Sequence, residues 1–563
     1  MKKQEKKFVL AGLALLAITG LLALAGCKND TVPEPTRYTV SFDKGDNSEY
    51  TGDLPADITV VSGTKLTAEQ LEGLDDTAGY IFEGWYDGET KAEGGTYTVT
   101  KDTTLYAVWT DNGTVATVTF SPPTGTKFYC DESIAVSLTS EEGATIQYKL
   151  GDQNWQDYTA DTTIPITGDT TITAKATKEG LKPSETTATY TVRKLEGITV
   201  TSPTRTVYSE RQSFDPTGMV VTATYDDKSQ REVTGWETDF NTVAGEKGLN
   251  KPVTVSYTEG ETPKTTTFTV TVFPAEVKVL TGYTSPNNTD DSWTYVEFGK
   301  WPQSEASGVS PTLVASQPEN LFKDKYYSDA NGEYVEEGGK YYKVEPIVWR
   351  VLTESYNSTK HALLLAESIL TGGIKWADSK NDYMESNIRK WLNGNSGTGE
   401  NSDYSGTPGF LQTAFTADAQ SLIADTTVDN SAASTNPASN PKQWAEGENP
   451  YASDTPTRDK VFLLSEKEAT TESYGFATYI DYGEGNTRIR VTTDYAKATG
   501  ANQSSTEGYG GWWWLRSPYC GNEGLARVIL DYGSANSSIN VSDYVLSPNG
   551  GVVPALSISL GGN

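Results

Sequence analysis

The sequence predicts a multidomain protein in which three small, mainly-β modules precede a C-terminal α+β domain. Its 563 residues are enough for about four domains. Residues 38–272 consist of short runs of β-branched and aromatic residues separated by Gly, Pro and Asp turns, a pattern typical of small sheets. Helical periodicity appears only after about residue 295, so the α+β part is expected at the C-terminal end.

The amino terminus has the pattern of an export signal. A basic segment precedes an apolar stretch of 18 residues, and small residues lead into a cysteine. The sequence Leu24-Ala-Gly-Cys27 resembles a bacterial lipobox, which implies a lipoprotein signal peptide at residues 1–26 and acyl chains such as palmitate on Cys27. Residues 27–37 then form a short tether. An uncleaved membrane helix is the alternative, because the apolar stretch just reaches the spanning length.

The first module, residues 38–110, begins and ends with alternating strands and carries an aromatic strand at Gly79-Tyr-Ile-Phe-Glu-Gly-Trp-Tyr86. Thr67 and Gln70 have the spacing of a capping box, which predicts a short helical turn. The module resembles the internalin B-type repeat, also called the Listeria–Bacteroides repeat, a β-grasp-like spacer of bacterial surface proteins. This resemblance implies a stalk or adhesion role without catalysis.

The second module, residues 115–193, contains alternating runs such as Ile134-Ala-Val-Ser-Leu138 and Thr170-Thr-Ile-Thr-Ala-Lys-Ala176. About six such strands at short spacing predict a β-sandwich. Their order resembles the fibronectin-like module at the C-terminus of some chitobiases. Trp155 and Tyr158 could stack on a sugar, but a core position is expected, because aromatic residues of a small sandwich belong to its core more often.

The third module, residues 194–273, repeats the strand and turn pattern, with its clearest run at residues 214–225. This run resembles bacterial immunoglobulin-like domains, which implies an Ig-like sandwich. Nothing in the module assembles a reactive set of side chains. Three such modules in succession are expected to act as a spacer that holds the last domain away from the membrane.

The last domain, residues 290–563, mixes helices and strands. The segment from Met384 to Asn393 has i, i+4 pairs and ends at Gly394, which predicts a helix. A second helix is possible over residues 408–423. Strands are predicted at residues 344–352, 362–366 and 460–465.

A tryptophan-rich block near the C-terminus predicts a rigid frame. Alternate side chains of a strand face opposite ways, so three consecutive tryptophans must be covered on both faces or stand at an edge. We interpret Trp513, Trp514 and Arg516 as a core scaffold rather than as ligand contacts. An alternating segment that ends at Leu560 closes the frame.

Residues 519–544, which lie between these two blocks, have the composition of a binding surface. Tyr, Ser, Asn and Gly make up 13 of these 26 residues. Antibody paratopes combine rigid tyrosines with small polar residues in the same way. A hairpin-rich loop region of an ordinary β domain is the alternative. The predicted ligand-binding residues are Tyr519, Asn522, Tyr532, Asn536, Ser538, Asn540, Asp543 and Tyr544.

The ordered signals of the last domain, among them Tyr295-Val-Glu-Phe-Gly-Lys-Trp-Pro-Gln303 and Trp513-Trp-Leu-Arg-Ser-Pro518, resemble a bacterial domain family of unassigned function. That family looks like the C-type-lectin-like fold of the formylglycine-generating-enzyme type. Such domains also serve as the variable proteins of diversity-generating retroelements, which implies that residues 519–544 are the variable surface. Relatives usually carry Arg where this chain has Val553.

Composition limits the chemistry. The net charge of −30 argues against nucleic-acid binding. The three cysteines form no disulfide framework, and the single histidine, His361, leaves a His-based metal site or catalytic triad without partners. Formylglycine generation depends on a cysteine pair, whereas the last domain has only Cys520. We predict no catalytic residues, no metal and no cofactor.

The predicted function is noncovalent binding by an exported protein that is lipid-anchored to the cell envelope, at the cell surface. Its C-type-lectin-like head is expected to bind an external protein or glycan ligand in adhesion or recognition, while the N-terminal lipid holds the membrane. The alternatives are a purely structural envelope protein and a glycan-processing enzyme. Fold alone does not decide between these classes.

Overall fold

The structure is a computed structural model in which strands account for far more of the chain than helices. It forms two compact units, one within residues 1–193 and the other within residues 194–563. The predicted signal peptide and Cys27 lie outside the described residues. Within the described part, no helix is long and apolar enough to cross a membrane. The structure describes residues 34–77, 79–261, 263–287, 293–315, 320–394, 408–436, 447–476, 486–505, 510–530 and 542–561.

The first module contains seven strands and a 3-10 helix at Glu69–Leu71. Its main sheet has the order β2-β1-β7-β4-β5, with β1 parallel to β7. The predicted capping box is present, because the Thr67 amide donates to Gln70 Oε1 at 2.9 Å and the Gln70 amide donates to Thr67 Oγ1 at 3.2 Å. The strands are β1 Arg37–Asp43, β2 Ile58–Val61, β3 Thr64–Lys65, β4 Tyr80–Asp87, β5 Thr90–Lys91, β6 Thr98–Val99 and β7 Thr103–Asp111.

The second module has two sheets, of orders β13-β10-β8 and β12-β11-β14-β15-β9, that share one hydrophobic core. The alternation of Ile172, Ala174 and Ala176, all fully buried on β14, explains why this strand lies at the centre. The strands are β8 Thr119–Ser121, β9 Lys127–Phe128, β10 Ile134–Thr139, β11 Thr145–Leu150, β12 Gln156–Tyr158, β13 Ile164–Ile166, β14 Thr170–Thr177 and β15 Ser184–Val192.

The expected core position of Trp155 is wrong. Its side chain is exposed, and Lys149 Nζ lies 5.2 Å from the ring centroid. Trp155 precedes β12, which is an edge strand, so no neighbouring strand covers it. Tyr158 is half-buried, and its hydroxyl accepts a hydrogen bond from the Leu138 amide at 3.0 Å.

The third module also has two sheets, β16-β18-β19 and β17-β22-β21-β20. Aromatic rings pack between them, with Phe240 4.6 Å from Tyr208 and 4.8 Å from Phe214 between ring centroids. The elements are β16 Leu195–Thr201, β17 Val207–Ser209, β18 Val220–Tyr225, β19 Gln230–Glu232, β20 Glu237–Thr238, α1 Phe240–Val243, β21 Gly248–Thr258 and β22 Pro263–Phe273.

The C-terminal domain is built on one large sheet of order β25-β26-β27-β28-β29-β38-β33, to which β24 and β23 are added beside β28. A separate sheet, β35-β36-β37, holds the tryptophan block. The strands are β23 Lys278–Val279, β24 Tyr295–Ala306, β25 Thr312–Leu313, β26 Tyr326–Asp329, β27 Gly332–Glu337, β28 Lys340–Thr353, β29 His361–Ala366, β30 Ser368–Ile369, β31 Thr426–Val428, β32 Thr457–Asp459, β33 Val461–Phe462, β34 Val491–Thr492, β35 Trp513–Pro518, β36 Leu525–Ile529, β37 Ser542–Tyr544 and β38 Ala555–Ser559.

The closing strand β38 lies inside the large sheet, between β29 and β33. Leu556 and Ile558 are fully buried on one face. Ser557, on the opposite face, is also fully buried, and its hydroxyl is 2.6 Å from Thr426 Oγ1. The strand is therefore covered on both faces, and the buried hydroxyl has a hydrogen-bond partner.

The helices are short, and one prediction about them is wrong. The helix predicted over residues 384–393 is confirmed but begins at Asn387, because the Ser386 hydroxyl caps it. The single helix considered over residues 408–423 is two helices, because Phe415 is extended and packs 4.8 Å from Phe298. Their bounds are α2 Asn387–Asn393, α3 Phe410–Ala414, α4 Ala417–Leu422, α5 Ala432–Thr435, α6 Glu466–Ala469 and α7 Asp494–Ala498.

A buried ion pair fastens α2 to β32. Arg389 Nε donates to Asp459 Oδ1 at 2.8 Å, and the two side chains are 3% and 0% exposed. The hydroxyl of Thr457 donates to the second carboxylate oxygen at 2.7 Å. Removing one partner of such a pair leaves a charge in the interior, which is more costly than losing a surface pair.

Replacement Asp459→Ala is expected to lower the free energy of unfolding of the C-terminal domain by about 3–5 kcal/mol, since it leaves the buried Arg389 guanidinium without its partner. Chemical denaturation followed by tryptophan fluorescence measures this change. The matched control is Glu297→Gln at the exposed Lys278–Glu297 pair, which should cost about 1 kcal/mol or less. Equal effects of the two substitutions would contradict the structural role of Asp459.

Candidate functional site

The tryptophan block forms strand β35, and all six of its residues are buried. Trp513 Nε1 donates to the Arg488 carbonyl at 3.2 Å. Trp514 packs edge-on against Trp512 with ring centroids 5.1 Å apart. A Cβ at Gly550 would lie 2.0 Å from Trp514 Nε1, so a glycine is required where the closing segment crosses this ring.

Arg516, on the same strand, is the centre of a buried polar network. Its Nη1 donates to the Leu463 carbonyl at 2.7 Å and to Glu468 Oε2 at 2.5 Å. Its Nη2 donates to the Asp429 carbonyl at 3.0 Å. Glu468 also accepts hydrogen bonds from the hydroxyl of Tyr356 and from the Ser465 amide. The sequence identified Arg516 but not its partners, because they come from three separate segments.

The electrostatics of this network depend on Glu468. Burial raises the pKa of its carboxyl group, but the charge of Arg516 and the hydrogen bonds from Arg516, Tyr356 and the Ser465 amide outweigh burial and lower the pKa below its usual value. The ionised form is therefore favoured in the folded domain. The same carboxylate raises the pKa of Tyr356, to which burial contributes most.

The predicted binding residue Tyr519 requires a correction. Its side chain is only 7% exposed, and the Arg527 guanidinium carbon lies 4.9 Å from its ring centroid. It therefore belongs to the interior of the domain. Cys520, beside it, is 1% exposed, and burial raises the pKa of its thiol.

Part of the predicted surface is a buried strand. Residues Ala526 to Ile529 on β36 are 5% exposed or less, because this central strand packs its apolar side chains into the hydrophobic core of the domain. The run Leu525-Ala-Arg-Val-Ile529 has the composition of a strand, and that signal could have predicted this burial.

Among the described residues of the segment, the outward ones lie in the turn before β36 and at the end of β37. Asn522 is exposed, and its Oδ1 accepts from the Gly524 amide at 2.8 Å. Asp543 is half-exposed, and Tyr544 is 65% exposed. Tyr532, Asn536, Ser538 and Asn540 lie outside the described residues.

Two exposed side chains, Tyr544 and Leu546, lie beside this turn. Leu546 is 48% exposed and Val545, between it and Tyr544, is 1% exposed. Residues 544–547 form a turn, in which the Ser547 amide donates to the Tyr544 carbonyl at 2.7 Å. Tyr544 and Leu546 are both exposed on this turn, while Val545 anchors it in the core. Two large exposed apolar side chains at one place are a candidate contact surface.

Asn381 fixes the turn, and sequence reasoning missed it. Its side-chain nitrogen is 3.3 Å from the Tyr519 carbonyl, 3.0 Å from the Asn522 carbonyl and 2.7 Å from the Leu525 carbonyl. Asn381 is 2% exposed. A single asparagine far away in the sequence gives no local signal for such a contact, so only the structure reveals it.

A groove of about 900 Å³ lies elsewhere in the domain and was not predicted. Phe298, Phe322 and Phe415 contribute its apolar floor. Charged pairs stand at its rim, with Lys278 2.9 Å from Glu297 and Lys300 3.5 Å from Glu333. Its residues come from segments between residues 276 and 420, so no local motif marks it.

Reactive groups are few. Among the described residues, no three His, Cys, Asp or Glu side chains are grouped as metal ligands. His361 is partly buried, and burial lowers the pKa of its imidazole, with a further contribution from Lys247. Cys130 is exposed, Cys520 is buried, and neither forms a disulfide.

Two family descriptions match parts of the chain. Residues 38–108 match the Listeria–Bacteroides repeat domain, which confirms the resemblance predicted for the first module. Residues 359–560 match a domain of unknown function, DUF6273, which agrees with the predicted relation to a family of unassigned function. The chain is therefore modular, whereas the C-type-lectin-like character of its last domain stays a prediction.

Solved structures and curated proteins add little. Sidekick-1 immunoglobulin domains 1–4 share 11% identity with the chain over 43% of its length and 68% of theirs, at a TM-score of 0.14. Sidekick-1 immunoglobulin domains 1–5 share 10% identity over 60% of this chain and 71% of theirs, also at 0.14. Scores this low carry no argument about fold or function. No curated protein matches the chain.

Replacement Glu468→Gln is expected to flatten the acid side of the stability profile. A carboxyl group with a lowered pKa stabilises the fold above its unfolded pKa, and this stability is lost as the pH falls through the folded pKa. The difference in unfolding free energy between wild type and variant should therefore be large at pH 7 and shrink below about pH 4. Urea denaturation across this range measures it.

The control is Glu472→Gln, an exposed glutamate in the neighbouring 3-10 helix Glu472–Tyr474. Its pH profile should follow that of the wild type. A Glu468→Gln profile parallel to the wild type at every pH would show that the ionised carboxylate does not hold the Arg516 network.

Proposed function

We propose that this protein is an exported, lipid-anchored cell-surface protein whose C-terminal domain binds an external ligand noncovalently. The three β modules separate that domain from the membrane, and the domain carries a C-type-lectin-like binding surface. The single observation that carries the binding proposal is the exposed pair of Tyr544 and Leu546, which stands on a buried, rigid sheet.

The anchor proposal rests on the sequence Leu24-Ala-Gly-Cys27 and on the short stretch before the first strand. Regular structure among the described residues begins at Arg37, ten residues after Cys27. Two acyl chains hold a protein stably at a membrane, whereas one chain binds only marginally. The modules at residues 38–273 precede the C-terminal domain in the sequence, which supports the proposal that they act as a spacer.

The proposed binding surface is smaller than the composition of residues 519–544 suggests. Because Tyr519 and β36 are buried, the contacts are assigned to Asn522, Asp543, Tyr544 and Leu546, together with residues of 531–541 that lie outside the described part. A tyrosine supplies a large contact area at low entropic cost, and small polar groups supply hydrogen bonds. The buried frame limits the ordering cost of binding.

The hypothesis that residues 519–544 are diversified rests on the same exposed positions. A surface that tolerates substitution must not carry the fold, and Asn522 and Tyr544 are exposed, so changes there leave the buried β35 and β36 untouched. This supports the proposal that residues 519–544 include the variable positions of a retroelement-diversified receptor. The ligand class, protein or glycan, then differs between variants of the domain.

Replacement Cys27→Ser is expected to abolish lipid attachment and membrane retention, because no other residue of the proposed lipobox supplies a thiol. Labelling cells with an alkyne-tagged palmitate and separating membrane from soluble fractions measures both effects. Cys130→Ser, at an exposed thiol in the second module, is the control and should label like the wild type. Labelling that persists in Cys27→Ser would contradict the anchor.

Replacement Leu546→Ser should weaken binding by about tenfold or more if the exposed pair is a contact, as truncation of a central apolar anchor does. The chain from Lys28 onward, immobilised at one density, is tested against an array of purified glycans and extracellular proteins. Leu313→Ser is the matched control, since Leu313 is 44% exposed on β25 of the large sheet and Leu546 is 48% exposed.

Tyr544→Ser should give a loss similar to that of Leu546→Ser on the same array component, while Leu313→Ser should change binding by less than about twofold. If the immobilised protein retains no component of the array, or if all three variants bind equally well, the result would argue against the proposed surface. It would favour a purely structural envelope protein.

A further inference from the structure

The groove of about 900 Å³ in the C-terminal domain is separate from the Tyr544 surface, because the two share no residue. It lies beside strand β24 and against the helices α3 and α4, and its accessible lining is mainly apolar. Concave, mainly apolar sites of this volume are the usual binding sites of small organic molecules. The groove is therefore a candidate site for such a molecule.

The floor of the groove is fixed by an aromatic cluster. Phe298 and Phe415 have ring centroids 4.8 Å apart, and Phe322 packs at the same distance from Trp301. Each of the three phenylalanines is 5% exposed or less, so the floor belongs to the core of the domain. A Cβ at Gly299, where φ is +72°, would lie 2.4 Å from the Phe415 ring, so a glycine is required there. The floor exists before a ligand binds, which limits the ordering cost of binding.

The walls of the groove supply most of its accessible apolar surface. Tyr326 on β26 and Val344 on β28 are half-buried, whereas Pro346 and Ala417 are exposed. Removing apolar surface of this kind from water is favourable and needs no particular direction of approach. A ligand with an apolar body is therefore expected.

Two polar side chains of the lining are already engaged within the protein. Gln412 Oε1 accepts from the Gly409 amide at 2.8 Å, and its Nε2 donates to the Asn393 carbonyl at 2.9 Å. Thr413 Oγ1 donates to the Gly409 carbonyl at 2.8 Å and accepts from the Leu321 amide at 3.1 Å. A sugar would bury many hydroxyl groups against these engaged partners, which is costly, so the groove favours an apolar molecule over a glycan.

Charge is concentrated at the rim. The lining contains three carboxylates and two ammonium groups, those of Glu276, Lys278, Glu297, Lys300 and Glu333. Lys278 pairs with Glu297 at 2.9 Å, and Lys300 pairs with Glu333 at 3.5 Å. Glu276 is exposed and has no ion-pair partner within the part of the chain that the structure describes. The lining therefore carries one net negative charge.

An aromatic ring lies beside one of these carboxylates. Burial, followed by the charge of Glu333 and a hydrogen bond to it, raises the pKa of the Tyr326 phenol. A carboxylate and an aromatic ring both attract a cation, so their proximity favours a positively charged group. The net charge of −30 acts in the same direction, because it raises the local concentration of cations around the chain.

We propose that the groove binds an organic ammonium ion with an apolar body, such as an arylalkylamine. The apolar body lies on the phenylalanine floor between Val344 and Ala417, and the ammonium group stays among the carboxylates of the rim. Such a ligand covers the apolar walls and balances the net negative charge of the lining. Its charged end keeps contact with water, so binding avoids the cost of burying a charge. The proposal does not rest on the proposed function of the Tyr544 surface.

Isothermal titration calorimetry with the chain from Lys28 onward tests the proposal at constant ionic strength. The probes are 2-phenylethylammonium, its neutral analogue 2-phenylethanol, the anion 3-phenylpropionate, and ethylammonium, which lacks the aromatic body. We expect saturable binding of 2-phenylethylammonium. 2-Phenylethanol should bind about two- to fivefold more weakly, because an exposed ionic contact contributes little, and 3-phenylpropionate more weakly still. Ethylammonium should show no saturable binding, because it covers almost no apolar surface.

Two variants separate the charge from the shape of the groove. Glu276→Gln should weaken binding of 2-phenylethylammonium by about two- to fivefold and leave that of 2-phenylethanol unchanged. Ala417→Trp places an indole in the groove from the first turn of α4, so it should weaken binding of both probes by about tenfold or more. The matched controls, Glu472→Gln and Ala433→Trp, change exposed residues outside the lining and should bind both probes as the wild type does.

Three results would overturn the proposal. The first is the absence of saturable binding of 2-phenylethylammonium. The second is equal or tighter binding of 2-phenylethanol or 3-phenylpropionate. The third is an affinity for 2-phenylethylammonium that neither Glu276→Gln nor Ala417→Trp changes. Sedimentation velocity tests a different occupant, because self-association that Ala417→Trp abolishes, without binding of any probe, would assign the groove to a second copy of the chain and likewise overturn the proposal.

Discussion

Buried guanidinium groups are the interaction on which the C-terminal domain depends. Arg516 joins strand β35 to the carbonyls of Asp429 and Leu463 and to the carboxylate of Glu468. Arg389 joins helix α2 to Asp459 on β32 in the same way. A charge left without its partner in the interior costs about 3–5 kcal/mol, so each pair permits only one arrangement of the segments around it.

This frame determines which side chains of the C-terminal segment face solvent. Strands β35 and β36 are covered on both faces, and Asn381 fixes the turn between them from the interior. Among the described residues of 519–544, that turn and the end of β37 project, which places Tyr544 in solvent without loosening the sheet below it. This separation of roles supports the proposal that a few side chains on a rigid support bind a ligand.

Much of the local structure could be predicted, because its causes are local. The capping box of Thr67 and Gln70 and the helix that ends at Gly394 depend on residues three to seven positions apart. The break at Phe415 could not be predicted, since that ring leaves the helical path to pack on Phe298, more than a hundred residues earlier. The predicted exposure of Tyr519 was wrong for a similar reason, because the Arg527 side chain that covers its ring belongs to the next strand.

The sequence by itself determined the order of the modules, the strand and turn pattern of each, and the presence of a tryptophan frame near the end. Periodicity and turn chemistry act over a few residues, so they can be read without a fold. Only the tertiary structure decided which polar groups share the interior. Arg516, Glu468 and Tyr356 meet because the order of strands and the path of the loops bring three separate segments of the chain together. Strand order arises from long-range packing, and no short window of sequence contains it.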